Sequence, residues 1–159
     1  MRAHMSDRET HGRVSYEGRG EWPPRNAWLG VSAEDQTRAD ERIPDLLATP
    51  AAVRFVSAEP LLGPISFGNI PLGGSGHASA LTGETLMFDG DYDPKATRLD
   101  GIIVGGESGA HARDNGFIEN ARSILGQCKD AGVPFFGKQN VKKAPLPDDL
   151  MVRELPHAR

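Results

Sequence analysis

Four short apolar runs are spread along the chain, and each is followed closely by a charged residue. The runs cover residues 27–31, 53–56, 101–104 and 133–136. The charged residues that follow them are Glu34, Glu59, Glu107 and Lys138, in the same order. Short apolar runs bounded by turn residues are typical of strands buried in a parallel sheet. Because the carboxyl ends of parallel strands lie at one rim of the sheet, the pattern predicts a ligand site there.

The segment between the first two runs predicts a helix. Its apolar residues recur at helical spacing, and they are Ala39, Ile43, Leu46 and Leu47. Ser32, followed by Asp35 three residues later, is a helix-start signature. Pro44 falls inside the apolar pattern, so we expect either a kink or two short helices with Pro44 opening the second.

A second helix is predicted between the third and fourth runs. One face holds Phe117, Ile118, Ala121, Ile124, Leu125 and Cys128. Asp114 or Asn115 can cap its start, and Gly132 lies where a C-terminal cap is expected. The alternation of strands and helices indicates an α/β fold, with a parallel sheet of about four strands joined by right-handed βαβ crossovers.

The remaining segments set the domain organisation. Residues 1–25 are polar and without periodicity, which predicts a flexible arm before an α/β domain at residues 26–139. Within the domain, residues 65–99 form a long glycine-rich loop, for which we expect a short hairpin or a lid. Residues 140–159 form a polar, proline-broken tail. Four strands are too few to close a barrel, so either the sheet edges are covered or the domain is part of a larger unit.

Composition narrows the class of protein. The chain has 159 residues and no apolar run near the ~20 residues of a membrane span, so we expect no membrane partner. We also find no secretory signal pattern and expect a cytoplasmic location. The single cysteine, Cys128, excludes an internal disulfide and a cysteine-ligated zinc site. A net charge of −4 argues against broad, non-specific binding to nucleic acid. The one notable basic cluster, Lys138, Lys142 and Lys143, is most simply explained as part of a solvated tail.

Five ordered blocks of sequence are similar to a known family. They are NAWLGVSAEDQ (26–36), ADERIP (39–44), RFVSAEPLLGP (54–64), VGGESG (104–109) and VPFFGKQ (133–139). Together they resemble the phage protein family called Gp thirty-seven/sixty-eight, a domain of unknown function that looks like a divergent radical S-adenosylmethionine barrel. The resemblance spans roughly residues 22–156 but only the carboxyl-terminal half of the family's usual length. It implies a partial (half) TIM-type barrel.

The chain departs from this family at the cysteines. Family members usually begin with a cysteine motif suited to an iron–sulfur cluster, and they often read SCEP where this chain reads SAEP at residues 57–60. A cluster needs thiolate ligands. The comparison with this family therefore implies that this chain alone holds no iron–sulfur cluster. It also implies that the chain is a half-barrel homologue, which is either a natural short form, a degenerate form, or one that another chain completes.

The glycine-rich loop after the third run is the candidate cofactor-binding site. It consists of Gly105, Gly106, Glu107, Ser108 and Gly109. Glycines let a ligand approach the backbone, and free amides before a helix suit a phosphate or a carboxylate. Glu107 would accept from a ribose hydroxyl or an amine. By resemblance, the loop lies near the S-adenosylmethionine end of such barrels; the alternative is a tight turn with a solvated Glu107.

Three other residues are candidates for catalysis, namely Glu59, Glu34 and Lys138. Glu59 lies at a strand end, where a charge is costly unless it is paired or bound. It is therefore either a functional carboxylate or the partner of a cation; the cations considered are Arg54, Arg113 and Lys138. Glu34, like Asp35, is alternatively a helix-start carboxylate that faces the helix dipole. Lys138 either neutralises the acidic residues or holds a substrate phosphate.

No metal site is predicted from the sequence. No two histidines are spaced along the chain like a pair of metal ligands. The histidines are His4, His11, His77, His111 and His157. The acidic residues 89–93 lack the glycine and glutamate that a calcium loop needs. Cys128, on the apolar face of the second helix, is interpreted as a core residue and not as a nucleophile.

Two functions remain open. The first is a divergent enzyme or enzyme fragment that binds S-adenosylmethionine or another nucleotide at the strand ends. The second is a non-catalytic protein-binding module of phage origin, which acts through its open sheet edge or through residues 65–99. In either case we expect a homo-oligomer or a partner protein to cover the open edge.

Overall fold

The computed structural model describes residues 23–72, 76–87 and 97–157. Most of the predicted arm and the acidic residues 89–93 lie outside these ranges. The described strands are β1 (Trp28–Ser32), β2 (Val53–Ala58), β3 (Ile70–Pro71), β4 (Gly76–Ala78), β5 (Thr85–Met87), β6 (Gly101–Gly105) and β7 (Phe135–Gln139). The α-helices are α1 (Gln36–Ala48) and α2 (Phe117–Ala131). Within these ranges, no helix is long and apolar enough to cross a membrane.

The main sheet has four parallel strands in the order β1-β2-β6-β7. Each consecutive pair of these strands is adjacent in the sheet, as in a partial α/β barrel. The other three strands form a small antiparallel sheet in the order β3-β4-β5. The predicted α/β class with about four parallel strands is therefore confirmed.

Helix α1 differs from the sequence-based prediction in its first residue and in its path through Pro44. Asp35 is its N-cap and accepts a hydrogen bond from the Arg38 amide at 2.9 Å. Ser32 cannot begin the helix because it is still in β1. Pro44 lies inside one continuous helix and does not open a second one. The predicted residues Ala39, Ile43, Leu46 and Leu47 are buried, and their burial on both sides of Pro44 offsets the hydrogen bond that a proline removes.

Helix α2 has glycines at both ends. Gly116 is its N-cap in the left-handed conformation, with φ 71°, and makes no side-chain cap. Of the two expected capping residues, Asp114 contributes, since its Oδ1 accepts a hydrogen bond from the Phe117 amide at 3.4 Å. The Asn115 amide instead donates to the Leu62 carbonyl at 3.2 Å. The predicted C-terminal cap at Gly132 is confirmed, with φ 64°.

The helices cover one face of the main sheet. On that face, alternate strand residues are buried: Val56, Ala58, Ile102, Val104 and Phe135. The segment 65–99 adds buried Ile65, Phe67, Ile70, Leu81 and Leu99 to the same core. It also contributes the antiparallel β4–β5 pair. In its described part this segment is thus a hairpin built into the core, and it is not a lid.

The opposite face of the sheet is half-exposed, and we call it the open face. Strand register places the following residues on the open face: Trp28, Gly30, Ser32, Val53, Phe55, Ser57, Ile103 and Phe136. Val53 is fully buried there, beside Trp28. Trp28 is 42% exposed, whereas Ile102 on the helix-covered face is 1% exposed. A parallel sheet is normally covered on both faces, so this asymmetry is the main unusual feature of the fold.

The C-terminal segment covers the β7 edge of the sheet. The Gly137 amide donates to the Val152 carbonyl at 2.9 Å, and the Glu154 amide donates to the Phe135 carbonyl at 3.0 Å. Arg153 pairs with Phe136 between them, and its guanidinium lies 5.0 Å from the ring centroid. The described part of the predicted tail thus extends the sheet in the antiparallel sense.

We expect the two neighbouring isoleucines of β6 to respond very differently to the same substitution. Ile102→Thr places a hydroxyl in the core and should cost about 2–4 kcal/mol of unfolding free energy. Ile103→Thr on the open face should cost less than about 1 kcal/mol. Urea denaturation of both variants measures the difference, and equal losses would show that the open face is buried.

Candidate functional site

The predicted charged residues lie at the ends of neighbouring strands. Glu34 follows β1, Glu59 follows β2, and Glu107 follows β6. Lys138 lies within β7. The loop after β2 connects these ends, because the Leu61 amide donates to the Gly105 carbonyl at 2.9 Å and the Leu62 amide donates to the Glu34 carbonyl at 2.7 Å. We call this set of strand ends the rim.

Glu59 forms an ion pair across the rim with Lys138. Its Oε1 lies 3.2 Å from the Lys138 Nζ, and the Ser57 hydroxyl donates to its Oε2 at 3.1 Å. The Glu59 side chain is 18% exposed and that of Lys138 is 56% exposed. A Cβ at Gly105 would collide with the Glu59 carboxylate, so the side chain lies directly over β6. Of the three cations considered for Glu59, Lys138 is the partner.

Glu107 is held by Arg113 through both of its carboxylate oxygens. The Arg113 Nη2 donates to Oε1 at 2.8 Å, and its Nε and backbone amide donate to Oε2 at 3.0 and 2.7 Å. The side-chain hydrogen bond from Arg113 is the main reason that the pKa of Glu107 falls to about 2. The carboxylate is therefore ionised at neutral pH, and its charge is compensated within the loop.

Glu34 pairs with a cation on α1. The Arg42 Nη1 lies 3.2 Å from the Glu34 Oε2 and also donates to the Ser32 carbonyl at 2.7 Å. Arg42 thus ties the end of β1 to the helix. The three rim carboxylates accordingly belong to three separate ion pairs, each with its own cation.

The glycine loop is shaped mainly by contacts within the protein. A Cβ at Gly106 would collide with the backbone of Val141, and the Lys142 amide donates to the Glu107 carbonyl at 2.9 Å. Gly106 is therefore needed for close packing of two chain segments. Ser108 and Gly109 are exposed, and Gly109 has a φ of 118° with open space around it. This outer part of the loop is where a ligand could approach.

Sequence reasoning missed two residues that position the rim. The Ser57 hydroxyl orients the Glu59 carboxylate, but nothing in the surrounding sequence marks this hydroxyl as functional. Arg42 lies eight residues after Glu34, in another element, so that only the packing of α1 on β1 brings the two together. The backbone of Val141 against Gly106 has no signal in the side-chain pattern either.

The described residues do not include a metal centre. Across the ranges that the structure covers, no group of three or more His, Cys, Asp or Glu residues is placed to hold a metal ion. Cys128 is fully buried, and burial raises the pKa of its thiol to about 12. This agrees with its interpretation as a core residue and does not fit the ligand set of an iron–sulfur cluster.

An open cleft of about 720 Å³ lies away from the rim. It is formed by the end of α2, the start of β7 and the C-terminal segment, with Cys128, Phe135 and Leu155 among its walls. Because it lies at the amino-terminal end of β7, it is separate from the strand ends that carry the charged residues.

Comparison with known families assigns the chain to a group. The family model described as "Protein of unknown function (DUF5131)" matches residues 1–149. The chain belongs to this family. The DUF5131 match includes the whole of the rim and also residues 1–25, which the sequence pattern predicted as an arm. No curated protein and no solved structure matches the chain.

Two glycine substitutions test whether internal packing explains the loop. We expect Gly106→Ala to cost about 2 kcal/mol or more of unfolding free energy, because backbone at Val141 must move. Gly126→Ala, in α2 with no atom near its added Cβ, should instead stabilise by about 0.5–1 kcal/mol. Urea denaturation compares the two variants. A neutral effect of Gly106→Ala would contradict the packing explanation.

Proposed function

We propose that this DUF5131 chain acts as a protein-binding module whose open face is closed by a partner protein. The observation that carries the proposal is the one-sided sheet, in which four parallel strands have helices on a single face. Parallel sheets in stable proteins are covered on both faces. A binding partner would supply the missing cover.

The side chains on the open face fit such an interaction. Phe55, Ile103 and Phe136 are half-exposed, and Trp28 is among the large apolar residues left exposed. Contiguous exposed apolar surface on a globular protein marks interaction sites. Aromatic residues are also enriched at interface centres.

Charged groups border this apolar surface on its β7 side. Lys138 projects from the same strand as Phe136, and Arg153 stacks on the Phe136 ring. An apolar centre with a polar border is the usual composition of a protein interface. We therefore expect the partner surface to be apolar at its centre, with acidic groups where it meets Lys138 and Arg153.

The electrostatics of the rim favour a scaffold over an acid–base catalyst. A carboxylate acting as a general base works best with a pKa near the operating pH. Arg113 moves the pKa of Glu107 in the opposite direction, to about 2. Glu34 and Glu59 are each satisfied by a cation of the same chain. These pairs stabilise strand ends and leave the open face as the surface available for binding.

Dye binding and light scattering, measured on the same protein, test whether the open face is available for binding. We expect the folded full chain either to bind an apolar fluorescent dye at the open face or to form an oligomer that hides this face. Ile103→Thr should reduce the dye signal, or the oligomer, at least about twofold. Met151→Thr, which removes an exposed apolar side chain outside the sheet, is the matched control. A monomer without dye binding would show that the chain covers its own face, and the proposal would fail.

A ligand site at the rim is the second candidate function. It is favoured by the exposed residues Ser108 and Gly109, whose backbone a ligand could reach, and by the largely exposed side chain of Lys138, which is paired with Glu59. These groups suit a carboxylate or a phosphate, as in S-adenosylmethionine or a nucleotide. The phage origin and radical S-adenosylmethionine-like ancestry implied by the resemblance belong to this proposal. Since the described residues do not fit an iron–sulfur cluster, no radical step is assigned to the chain.

Calorimetric titration with S-adenosylmethionine checks this second candidate. Saturable binding that weakens about tenfold or more in Lys138→Ala, but not in the control Lys129→Ala on α2, would place the ligand at the rim. Each variant must keep the melting behaviour of the folded chain. Absence of binding to well-folded native protein would remove this candidate and leave the module.

A further inference from the structure

We propose that the ring of Phe55 is the floor of a recess on the open face, and that this recess receives one aromatic side chain of the partner protein. The inference rests on the proposed function and deepens it, because it names the chemistry of the group that the partner inserts. The observation that carries it is the orientation of the Phe55 ring relative to Gly30.

The Phe55 ring lies flat on the backbone of the neighbouring strand. Phe55 of β2 is in register with Gly30 of β1. A Cβ added at Gly30 would lie 2.6 Å from both Cε atoms of the ring and closer still to its Cζ. Such a point lies beneath the face of the ring, since a point beyond the ring edge would be clearly farther from the Cε atoms than from Cζ. The opposite face of the ring therefore points away from the sheet.

Gly30 makes this orientation of the ring possible. Gly30 is not among the glycines of the described residues that have a positive φ, so the path of β1 does not require a glycine here. A side chain is excluded at this position by the ring that lies over it. Close approach of another group is the usual reason for a glycine inside a strand, and here that group is Phe55.

Two side chains border the ring, one along the strand and one across the sheet. Trp28 precedes Gly30 by two residues, so it stands on the same face, and it is 42% exposed. On the other side of Phe55, in register, is Gly101 of β6. Pro156 lies over Gly101, with its Cγ 3.0 Å and its Cδ 3.2 Å from the position of an added Cβ. The ring is thus the floor of a shallow recess, with Trp28 and Pro156 at its sides.

The next row of the open face leaves the ring accessible. Register places Ser32, Ser57 and Ile103 in this row. Ser57 is the nearest to Phe55 along β2, and its hydroxyl is directed to the Glu59 carboxylate. Phe55 itself is partly exposed. A planar group can therefore lie on the outer face of the ring in the offset arrangement that aromatic pairs prefer.

An aromatic side chain fits this recess better than a nucleobase does. A nucleobase brings phosphates with it, and binding of phosphates needs free cations close by. At this face, Lys138 is paired with Glu59, and Arg153 stacks on the Phe136 ring. An aromatic side chain brings no charge, and aromatic residues are the usual anchors at the centre of protein interfaces.

Two uncharged amino-acid derivatives test the recess directly. N-Acetyltryptophanamide supplies an aromatic side chain, and N-acetylleucinamide supplies an aliphatic one. Each is titrated into the full chain, and binding is followed by the NMR chemical shifts of the backbone amides. We expect saturable binding of the tryptophan derivative, about fivefold tighter or more than that of the leucine derivative.

Substitutions of the floor test whether the flat ring is responsible. Phe55→Leu keeps an apolar side chain but removes the ring, and it should weaken binding of the tryptophan derivative about fivefold or more. Phe55→Tyr keeps the ring and should leave the affinity within about twofold. Gly30→Ala pushes the ring off the sheet and should weaken binding in the same way as Phe55→Leu. Gly126→Ala, with no atom near its added Cβ, is the matched control. Circular dichroism confirms that each variant is folded.

The outcomes separate this inference from the proposed function. Absence of saturable binding, equal binding of the two derivatives, or an unchanged affinity in Phe55→Leu would each overturn the recess. Adenosine monophosphate, titrated in the same way, would overturn the choice of an aromatic side chain if it bound more tightly than the tryptophan derivative. A dye signal that still depends on Ile103 would then leave the open face as a binding surface without the recess. Loss of both the dye signal and the tryptophan binding would overturn both proposals.

Discussion

The pairing of β2 with β6 joins the two halves of the molecule, and the rest of the structure depends on it. The strands are connected through the whole of the 65–99 segment, yet they align over four residue pairs. Hydrogen bonds between Arg54 and Asp100 fix the start of the pairing, at 2.7 and 2.8 Å. Because the pair is parallel, its far end brings Glu59 over Gly105 and within reach of Lys138. The same pairing brings both ends of the 65–99 segment to the sheet, so that the apolar side chains of the segment can pack into the core.

Once this pairing is set, the two faces of the sheet have different physical roles. The helix-covered face is a close-packed core in which Ile102 and Val104 are almost completely buried. The other face keeps alternate residues of the same strands in partial contact with water. Strand alternation forces this division, since neighbouring residues such as Ile102 and Ile103 must point to opposite sides. A sheet that is stable through one face alone can present the other to a partner without rearrangement.

The sequence allowed the four strands of the main sheet, the two helices and their buried positions to be predicted, because each depends on local periodicity. The strands of the small antiparallel sheet have no such periodicity and were expected only as a hairpin or a lid. Gly132 was predictable as a helix end for the same reason, since a left-handed cap favours glycine. The continuation of α1 through Pro44 was not, because burial of Ile43 and Leu46 outweighs a local rule. The ion pairs at the rim were predicted only as possibilities. The cation that pairs with Glu59 is Lys138, because β7 lies next to β6 in the sheet. Strand order is a property of the tertiary structure, and local sequence patterns do not determine it.

The covered β7 edge also has a consequence for how large an assembly can become. Filaments built from sheets need two free edges on every molecule, one to receive a neighbour and one to offer. Here the C-terminal segment occupies one edge through its hydrogen bonds to Phe135 and Gly137. Another strand could therefore pair with β7 only by displacing this segment first. The segment that the sequence pattern predicts as a polar tail thus protects one edge of the sheet from pairing with another chain.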